Sequence, residues 1–317
     1  MADRILLTGA SGFLGRHTLP VLQAAYGTEN VFAVSSKSYD LMDRSQVEKM
    51  FDDAAPTVVV HYAAYSGGIN ANRTYPGDFY YRNTILTAHT FDVAARRSGI
   101  RKFIYTMGGC SYPATAKSPI DESQLWQGYP QKESAGYSTA KMMGTVAARS
   151  YREQFGLPAV VLIPGNLYGE FDNFSALDSH VVPAMVRRYY EAELNGANTV
   201  EMWGTGQPQR DFVYAADVAR LIPYFIESYD SPEPVNISAG RTTAIKELAE
   251  TIADLVNFKG DIVWDSAKPD GQMVKIFGTE RLNALGLSCD TPLRDGLTST
   301  IRWFSRNYSS SGDGLRL

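Results

Sequence analysis

Ile5-Leu-Leu-Thr-Gly-Ala-Ser-Gly-Phe-Leu-Gly15 decides how the rest of the chain is read. A short apolar run meets glycines at 9, 12 and 15, and a helical pattern opens at once. The first glycine makes the turn, the second keeps a Cβ out of the path of a phosphate, and the third lets helix pack on strand. The helix that follows presents its N–H groups and dipole to an anion. The spacing G-x-x-G-x-x-G differs from G-x-G-x-x-G but performs the same work. Gly9, Ser11, Gly12, Phe13, Leu14 and Gly15 are therefore expected against the diphosphate of a dinucleotide.

Working outward, the first 165 residues alternate β-rich runs with helical patterns. Ile5–Leu7, Val31–Val34, Thr57–His61, Lys102–Thr106 and Ala159–Ile163 read as strands buried on both faces. Helical stretches fall at 12–25, 45–53, 80–98 and 137–155. The alternation predicts an α/β fold, a Rossmann-type doubly wound parallel sheet with right-handed crossovers. Beyond Pro164 the pattern loosens, with helices expected near 180–193, 243–257 and 293–307 and a strand at Asp261–Trp264. We divide the chain into a dinucleotide-binding domain, 1–165, and a smaller C-terminal α/β substrate lobe, mainly 166–317 and interleaved with the first. The tail from Ser309 reads as frayed.

Bulk composition narrows the function classes. Thirty basic against 34 acidic residues give a formal charge of −4, so neither a nucleic-acid nor a membrane-surface footprint is visible. No apolar segment approaches the ~20 residues that span a bilayer. Cys110 and Cys289 lie far apart and match no disulfide or metal pattern, which fits a reducing compartment. A cytoplasmic location and no bound metal are expected.

The end of the second strand bears on the dinucleotide. An Asp or Glu there holds the ribose 2′-hydroxyl of the unphosphorylated form. This chain has Ser35-Ser36-Lys37, whose hydroxyls and cation suit a 2′-phosphate, and Asp40 comes several residues late. Ser36 and Lys37 are the expected contacts, and NADP(H) is the favoured cofactor.

About 120 residues after the glycine turn, Tyr137-Ser-Thr-Ala-Lys141 puts a tyrosine and a lysine four residues apart on one helix face. Both features together resemble the extended branch of the short-chain dehydrogenase/reductase superfamily. The resemblance implies that Lys141 lowers the Tyr137 pKa from about 10 and holds the nicotinamide ribose. Tyr137 would then exchange a proton with a carbonyl oxygen as hydride is transferred.

Longer segments carry a narrower likeness. Gly67–Phe79, Cys110-Ser-Tyr-Pro113, Pro164-Gly-Asn-Leu-Tyr-Gly169, Asp172–Phe174, Ser179–Pro183, Trp203–Pro208, Arg210–Phe212 and Lys268–Gly271 occur in the order seen in the GDP-L-fucose synthases. These are 3,5-epimerase/4-reductases of GDP-4-keto-6-deoxy-D-mannose, and the chain resembles them from about residue 4 to 305. By that resemblance Cys110 and His180 form the epimerisation pair, His180 as base and Cys110 as acid. Ala63, Ala64, Pro164, Asn166 and Leu167 would touch the cofactor. Arg188 and Arg210 would grip the substrate diphosphate, with Lys275 near it. Trp203 would cover the base or sugar, Asp270 would meet a ribose hydroxyl, and Asn166 and Asn173 the sugar. A homodimer built on the helices near 80–98 and 137–155 is also implied. His17, His61 and His89 are assigned packing or surface roles.

Two positions depart from that family. Gly108 stands where a Ser or Thr hydroxyl bonds the substrate C4 oxygen, and Gly165 where a Thr precedes the Asn. Losing one donor to a developing oxyanion typically costs ~10²–10³ in rate. Two side chains reduced to glycine suggest extra room in the pocket, for a water or a larger substrate. Readings left open are a related enzyme on another 4-keto nucleotide sugar, such as an activated heptose, and a non-catalytic NADP-binding sensor.

Overall fold

Five strands and five helices alternate along the first half of the chain. They are β1 (Ile5–Thr8), α1 (Phe13–Tyr26), β2 (Val31–Val34), α2 (Arg44–Ala54), β3 (Val58–His61), α3 (Ile69–Thr74), α4 (Pro76–Ala95), β4 (Lys102–Thr106), α5 (Ala135–Phe155) and β5 (Ala159–Pro164). The computed structural model describes residues 2–176 and 178–308, so the tail from Ser309 lies outside the described residues. β1, β3, β4 and β5 are buried along their lengths apart from the last residue of β4, as continuous apolar runs in a covered parallel sheet should be.

After β5 come β6 (Asn166–Tyr168), α6 (Val181–Leu194), β7 (Thr199–Trp203), β8 (Gln209–Arg210), β9 (Phe212–Tyr214), α7 (Ala215–Glu227) and β10 (Val235–Ile237). β11 (Thr243–Ala244), α8 (Ile245–Leu255), β12 (Asp261–Asp265), β13 (Val274–Lys275), α9 (Glu280–Ala284) and α10 (Leu293–Asn307) complete the described chain. The main sheet is parallel, in the order β10-β5-β4-β3-β1-β2. Two apolar layers cover it. Phe51, Phe91, Phe103 and Met142 belong to the layer under α2, α4 and α5, and Leu22, Val218, Ile222 and Phe225 to the layer under α1 and α7. A third core, around Phe174, Val186, Leu248 and Phe304, holds the smaller lobe together.

The pattern of the sequence does not anticipate α7 and β10. β10 has only three residues, too few to show a period, and it is recognisable only by its pairing with Leu162–Pro164 of β5. α7 packs on α1, so the chain re-enters the first domain between 215 and 237. Among the described residues no helix is long and apolar enough to cross a membrane.

The sheet sets the place of the site. β1, β3, β4 and β5 run parallel, so the segments leaving their carboxyl ends meet at one edge: Gly9–Gly15, Tyr62–Gly67, Met107–Cys110 and Gly165–Leu167.

Candidate active site

A cleft of about 930 Å³ opens along that edge. Gly9 has φ +69, and a Cβ on it would come within 2.7 Å of the Ala63 nitrogen. A Cβ on Gly15 would overlap the Gly9 carbonyl oxygen, so the third glycine permits α1 to pack on the turn. Gly12 is extended and caps α1, with only the Gly9 oxygen (3.2 Å) near its missing Cβ. That leaves a bare backbone floor under the first turn of a helix, a cradle that fits a diphosphate.

Gly9, Ser11, Gly12, Phe13, Leu14, Gly15, Ser36, Ala63, Ala64, Pro164, Asn166 and Leu167 all line the cleft. Lys37 does not: it is exposed, and its backbone N–H donates to Ser35 Oγ at 3.3 Å in a tight turn. The turn that aims Ser35 and Ser36 inward carries the next residue away. The sequence reading missed Tyr39, Leu41 and Met42, which lie past that turn, and Tyr65, Arg82 and Leu86 across the cleft. Arg82, Leu86 and His89 share one face of α4 by spacing, and His89 Nδ1 is 3.2 Å from the Leu41 carbonyl oxygen. That stripe was the available signal.

Tyr137, Lys141, Cys110 and His180 converge on the same cleft. α5 carries Tyr137 and Lys141 on one face within its first two turns. Ser138 Oγ donates to the Cys110 carbonyl oxygen at 3.1 Å, tying α5 to the turn that holds the cysteine. Tyr137 packs edge-on against Phe79, with ring centres 6.2 Å apart. His180 caps α6 at the cleft wall. Its loop is seated by Gly68, where a Cβ would come within 2.7 Å of the Asp178 oxygen.

Electrostatics revise one expectation. Burial pushes the Tyr137 phenol up rather than down, with the nearby Cys110 and Tyr105 adding to the effect. Burial also pushes Lys141 down to about 7, against an opposing pull from Cys110. Desolvation outweighs the attraction between ammonium and phenolate that would lower Tyr137. His180 is exposed at the cleft wall, and the protein packed around its ring lowers it by desolvation.

The remaining substrate residues separate into two groups. Asn166 lines the cleft and donates from Nδ2 to the Asp211 oxygen at 2.8 Å. Arg188, Trp203, Arg210, Asp270 and Lys275 do not line it: Trp203, Arg210 and Lys275 lie on the small sheets of the second lobe, Arg188 on α6 and Asp270 in the loop between β12 and β13. Arg210 and Lys275 are cross-strand partners, and Lys275 lies within electrostatic reach of both Arg210 and Cys110. Arg188 Nη1 donates to the Glu201 oxygen at 2.9 Å, close to the exposed Trp203. Asp270 accepts from Thr205 N–H (2.9 Å) and Thr205 Oγ1 (2.7 Å). Asn173 is not brought to the cleft: its Nδ2 donates to the Asp178 oxygen at 3.0 Å and its Oδ1 accepts from Ser175 N–H at 3.1 Å. Its amide is spent on shaping the loop before His180.

The three other histidines have structural surroundings. His17 Nε2 lies 2.9 Å from the Glu170 oxygen, and the buried His61 pairs through Nδ1 with Thr8 Oγ1 at 2.9 Å.

Gly165 does not supply extra room. A Cβ there would overlap Ser238 Oγ and approach Phe277 at 3.1 Å, so neighbouring side chains already fill the space. Phe277 also closes on Gly109, where a Cβ would collide with its ring. Gly108 faces the site, though tightly. A Cβ would sit 3.3 Å from Cys110 Sγ and 4.0 Å from Tyr137 Cε1, facing the reacting groups. Ser111 is fully buried and does not line the cleft, so it does not stand in for the missing hydroxyl.

Comparison with known proteins agrees with this geometry. Residues 5–238 match the family described as NAD dependent epimerase/dehydratase. The chain belongs to that family. Within it, the chain is 36% identical over 308 residues to a probable GDP-L-fucose synthase 1 of Oryza sativa subsp. japonica, covering 97% of this chain and 94% of that one. It is 34% identical over 314 residues to the GDP-L-fucose synthase of Escherichia coli K12, covering 96% and 97%. Among solved structures, a GDP-L-fucose synthetase from Naegleria fowleri bound to NADP superposes with TM-score 0.86 at 29% identity, covering 97% of this chain and 95% of that one. A GDP-6-OMe-4-keto-L-xylo-heptose reductase from Campylobacter jejuni gives TM-score 0.87 at 25% identity, covering 97% and 99%.

Proposed function

We propose that this epimerase/dehydratase-family chain is an NADP-dependent 3,5-epimerase/4-reductase that converts GDP-4-keto-6-deoxy-D-mannose to GDP-L-fucose. The observation that carries the reading is the meeting of Tyr137, Lys141, Cys110 and His180 in one cleft with the Gly9–Gly15 cradle. A dinucleotide alone needs only the cradle. A ketone whose neighbouring carbons must be inverted needs two further proton-exchanging groups, and Cys110 and His180 are of the right kind. The likeness to GDP-L-fucose synthases over nearly the whole chain supports the same substrate.

The residues divide the work. His180 removes the proton made acidic by the C4 ketone, at C3 and again at C5, and Cys110 returns one on the opposite face. NADPH, when bound, supplies the hydride for C4. Tyr137, held protonated by its burial, donates its proton to the C4 oxygen as charge develops there. Lys141 sits one helical turn behind it and holds the nicotinamide ribose. Arg188, Arg210 and Lys275 take the substrate diphosphate, with Trp203 over the base and Asp270 at its ribose.

Under this reading the protein works in the cytoplasm, where Cys110 stays a thiol. It also works as a dimer. α4 and α5 pack side by side and leave Tyr80, Tyr81, Met143 and Val146 exposed, an apolar surface suited to the same pair of a second copy. A second substrate, an activated 4-keto heptose, is favoured by the likeness to the heptose reductase.

The test is incubation with GDP-4-keto-6-deoxy-D-mannose in heavy water, with and without NADPH, following deuterium by NMR and cofactor by absorbance. Exchange at C3 and C5 with NADPH oxidation is the expected result. Exchange without oxidation leaves an epimerase only, and neither result moves the substrate to the heptose.

A further inference from the structure

Among the described residues two lysine or arginine side chains line the cleft, Lys141 at its catalytic end and Arg82 on the wall formed by α4. A dinucleotide phosphate brings a diphosphate and a 2′-phosphate into that space, and the cation expected for it, Lys37, is exposed and off the lining. Among the described residues Asp40 is the one carboxylate on the lining, and Gly9–Gly15 contributes no charged side chain to it.

Arg82 is built to be available. Its guanidinium lies over the Tyr65 ring at 4.7 Å, and among the described residues no carboxylate pairs with it. The seat is rigid. Asn83, the next residue, donates from Nδ2 to the Tyr65 oxygen at 2.9 Å and accepts from Tyr65 N–H at 2.9 Å. Tyr65 packs in turn on the buried Phe79, with centres 4.8 Å apart. A planar guanidinium resting on an aromatic face still directs its N–H edge outward, the geometry that meets phosphate oxygens in pairs.

Position along α4 selects which phosphate. His89 approaches the Leu41 backbone, marking the end of the cleft beyond β2. Arg82 stands seven residues earlier, about 10 Å along the helix toward the catalytic end. Tyr65, under its guanidinium, follows two residues after Ala63, whose nitrogen abuts Gly9 of the cradle, so Arg82 stands on the cradle side of that end.

We propose that Arg82 is the cofactor's diphosphate clamp, closing from α4 on the group that the Gly9–Gly15 turn holds from below. The inference rests on the NADPH reading given above. Its consequence is that the charge for cofactor binding comes from a helix of the far wall instead of the β2 loop.

The experiment is direct binding of NADPH and NADH to the wild type, Arg82→Gln and Arg82→Lys, by calorimetry at two salt concentrations. Arg82 is exposed, so the variants are expected to fold, with circular dichroism as the check. Arg82→Gln should weaken both cofactors about tenfold or more, in equal measure, and flatten the salt dependence; Arg82→Lys should recover part of the loss. Unchanged affinity overturns the clamp. Loss confined to NADPH overturns it too, by moving Arg82 to the 2′-phosphate. A wild type that binds no NADPH sinks the functional reading itself, a result visible before any variant is compared.

Discussion

The Lys141 ammonium lies 4.4 Å from the centre of the Tyr105 ring, while the Tyr105 hydroxyl donates to the Lys141 carbonyl oxygen at 3.1 Å. One side chain of β4 thus grips the lysine at both ends. Gly144 permits it, since a Cβ there would collide with the Tyr105 ring. His61 stacks on that ring with centres 6.0 Å apart, and burial with the Lys141 charge holds it down to about 3.

Tyr105 is therefore a positioning residue whose ring favours the charged lysine by roughly 0.5–2 kcal/mol. Tyr105→Leu should move the activity limb set by Lys141 to lower pH, by about one unit. Tyr105→Phe keeps the ring and should leave that limb in place. The other groups facing Lys141 are His61, Cys110 and Tyr137, all intact in both variants. A pH profile that shifts equally in both would assign Tyr105 to packing alone.

Cofactor binding should take up protons in alkaline solution. With burial holding Lys141 near 7, its amine is largely neutral at pH 8 and largely charged at pH 6. An anionic ligand favours the charged form, so uptake should approach one proton at pH 8 and fade toward pH 6. Calorimetry in buffers of different ionisation enthalpy measures it directly. Lys141→Met should abolish the uptake, and its persistence in that variant would exclude the lysine as its source.

Gly108→Ser should raise the rate of the reduction step at least tenfold. The new Cβ meets Cys110 Sγ at 3.3 Å, tight enough to need a shift of a few tenths of an ångström, and lies on the Tyr137 side of the cleft. A hydroxyl there supplies the oxyanion donor that typically contributes ~10²–10³ in rate. Single-turnover NADPH oxidation is the readout. No gain would mean that another group already makes the bond.

Gly165→Thr should do the opposite of restoring function. The added atoms overlap Ser238 Oγ and press on Phe277, an overpacking that costs about 1–3 kcal/mol. Denaturant unfolding should show the loss, and a second change, Ser238→Gly, should recover most of it. Full stability of Gly165→Thr alone would mean that Ser238 turns aside freely.

The legible part of this protein was the part governed by local rules. Ile5–Gly15 is read from sequence because strand, tight turn and helix start each have a one-residue-at-a-time cause. The apolar runs of β1 to β5 likewise announce a covered parallel sheet, and Tyr137 with Lys141 share a helix face by spacing alone. β10 escaped because three residues carry no period; its identity is its pairing with β5. Asn173 and Gly165 were misread for a related reason. Each was assigned by position along the chain, while its partners, Asp178 and Ser238, are set by how loops fold back.

What the sequence determined by itself is the sheet, the cradle and the kinds of groups available for chemistry, since backbone geometry and side-chain periodicity act over a few residues. What only the tertiary structure decided is which charges count. Lys37 and Arg82 are equally cationic as letters, yet the turn after β2 points one to solvent and a helix from a distant segment sets the other in the cleft. The proton affinities of Tyr137 and Lys141 were decided there too, because desolvation depends on everything packed around a group and on nothing in its own spacing.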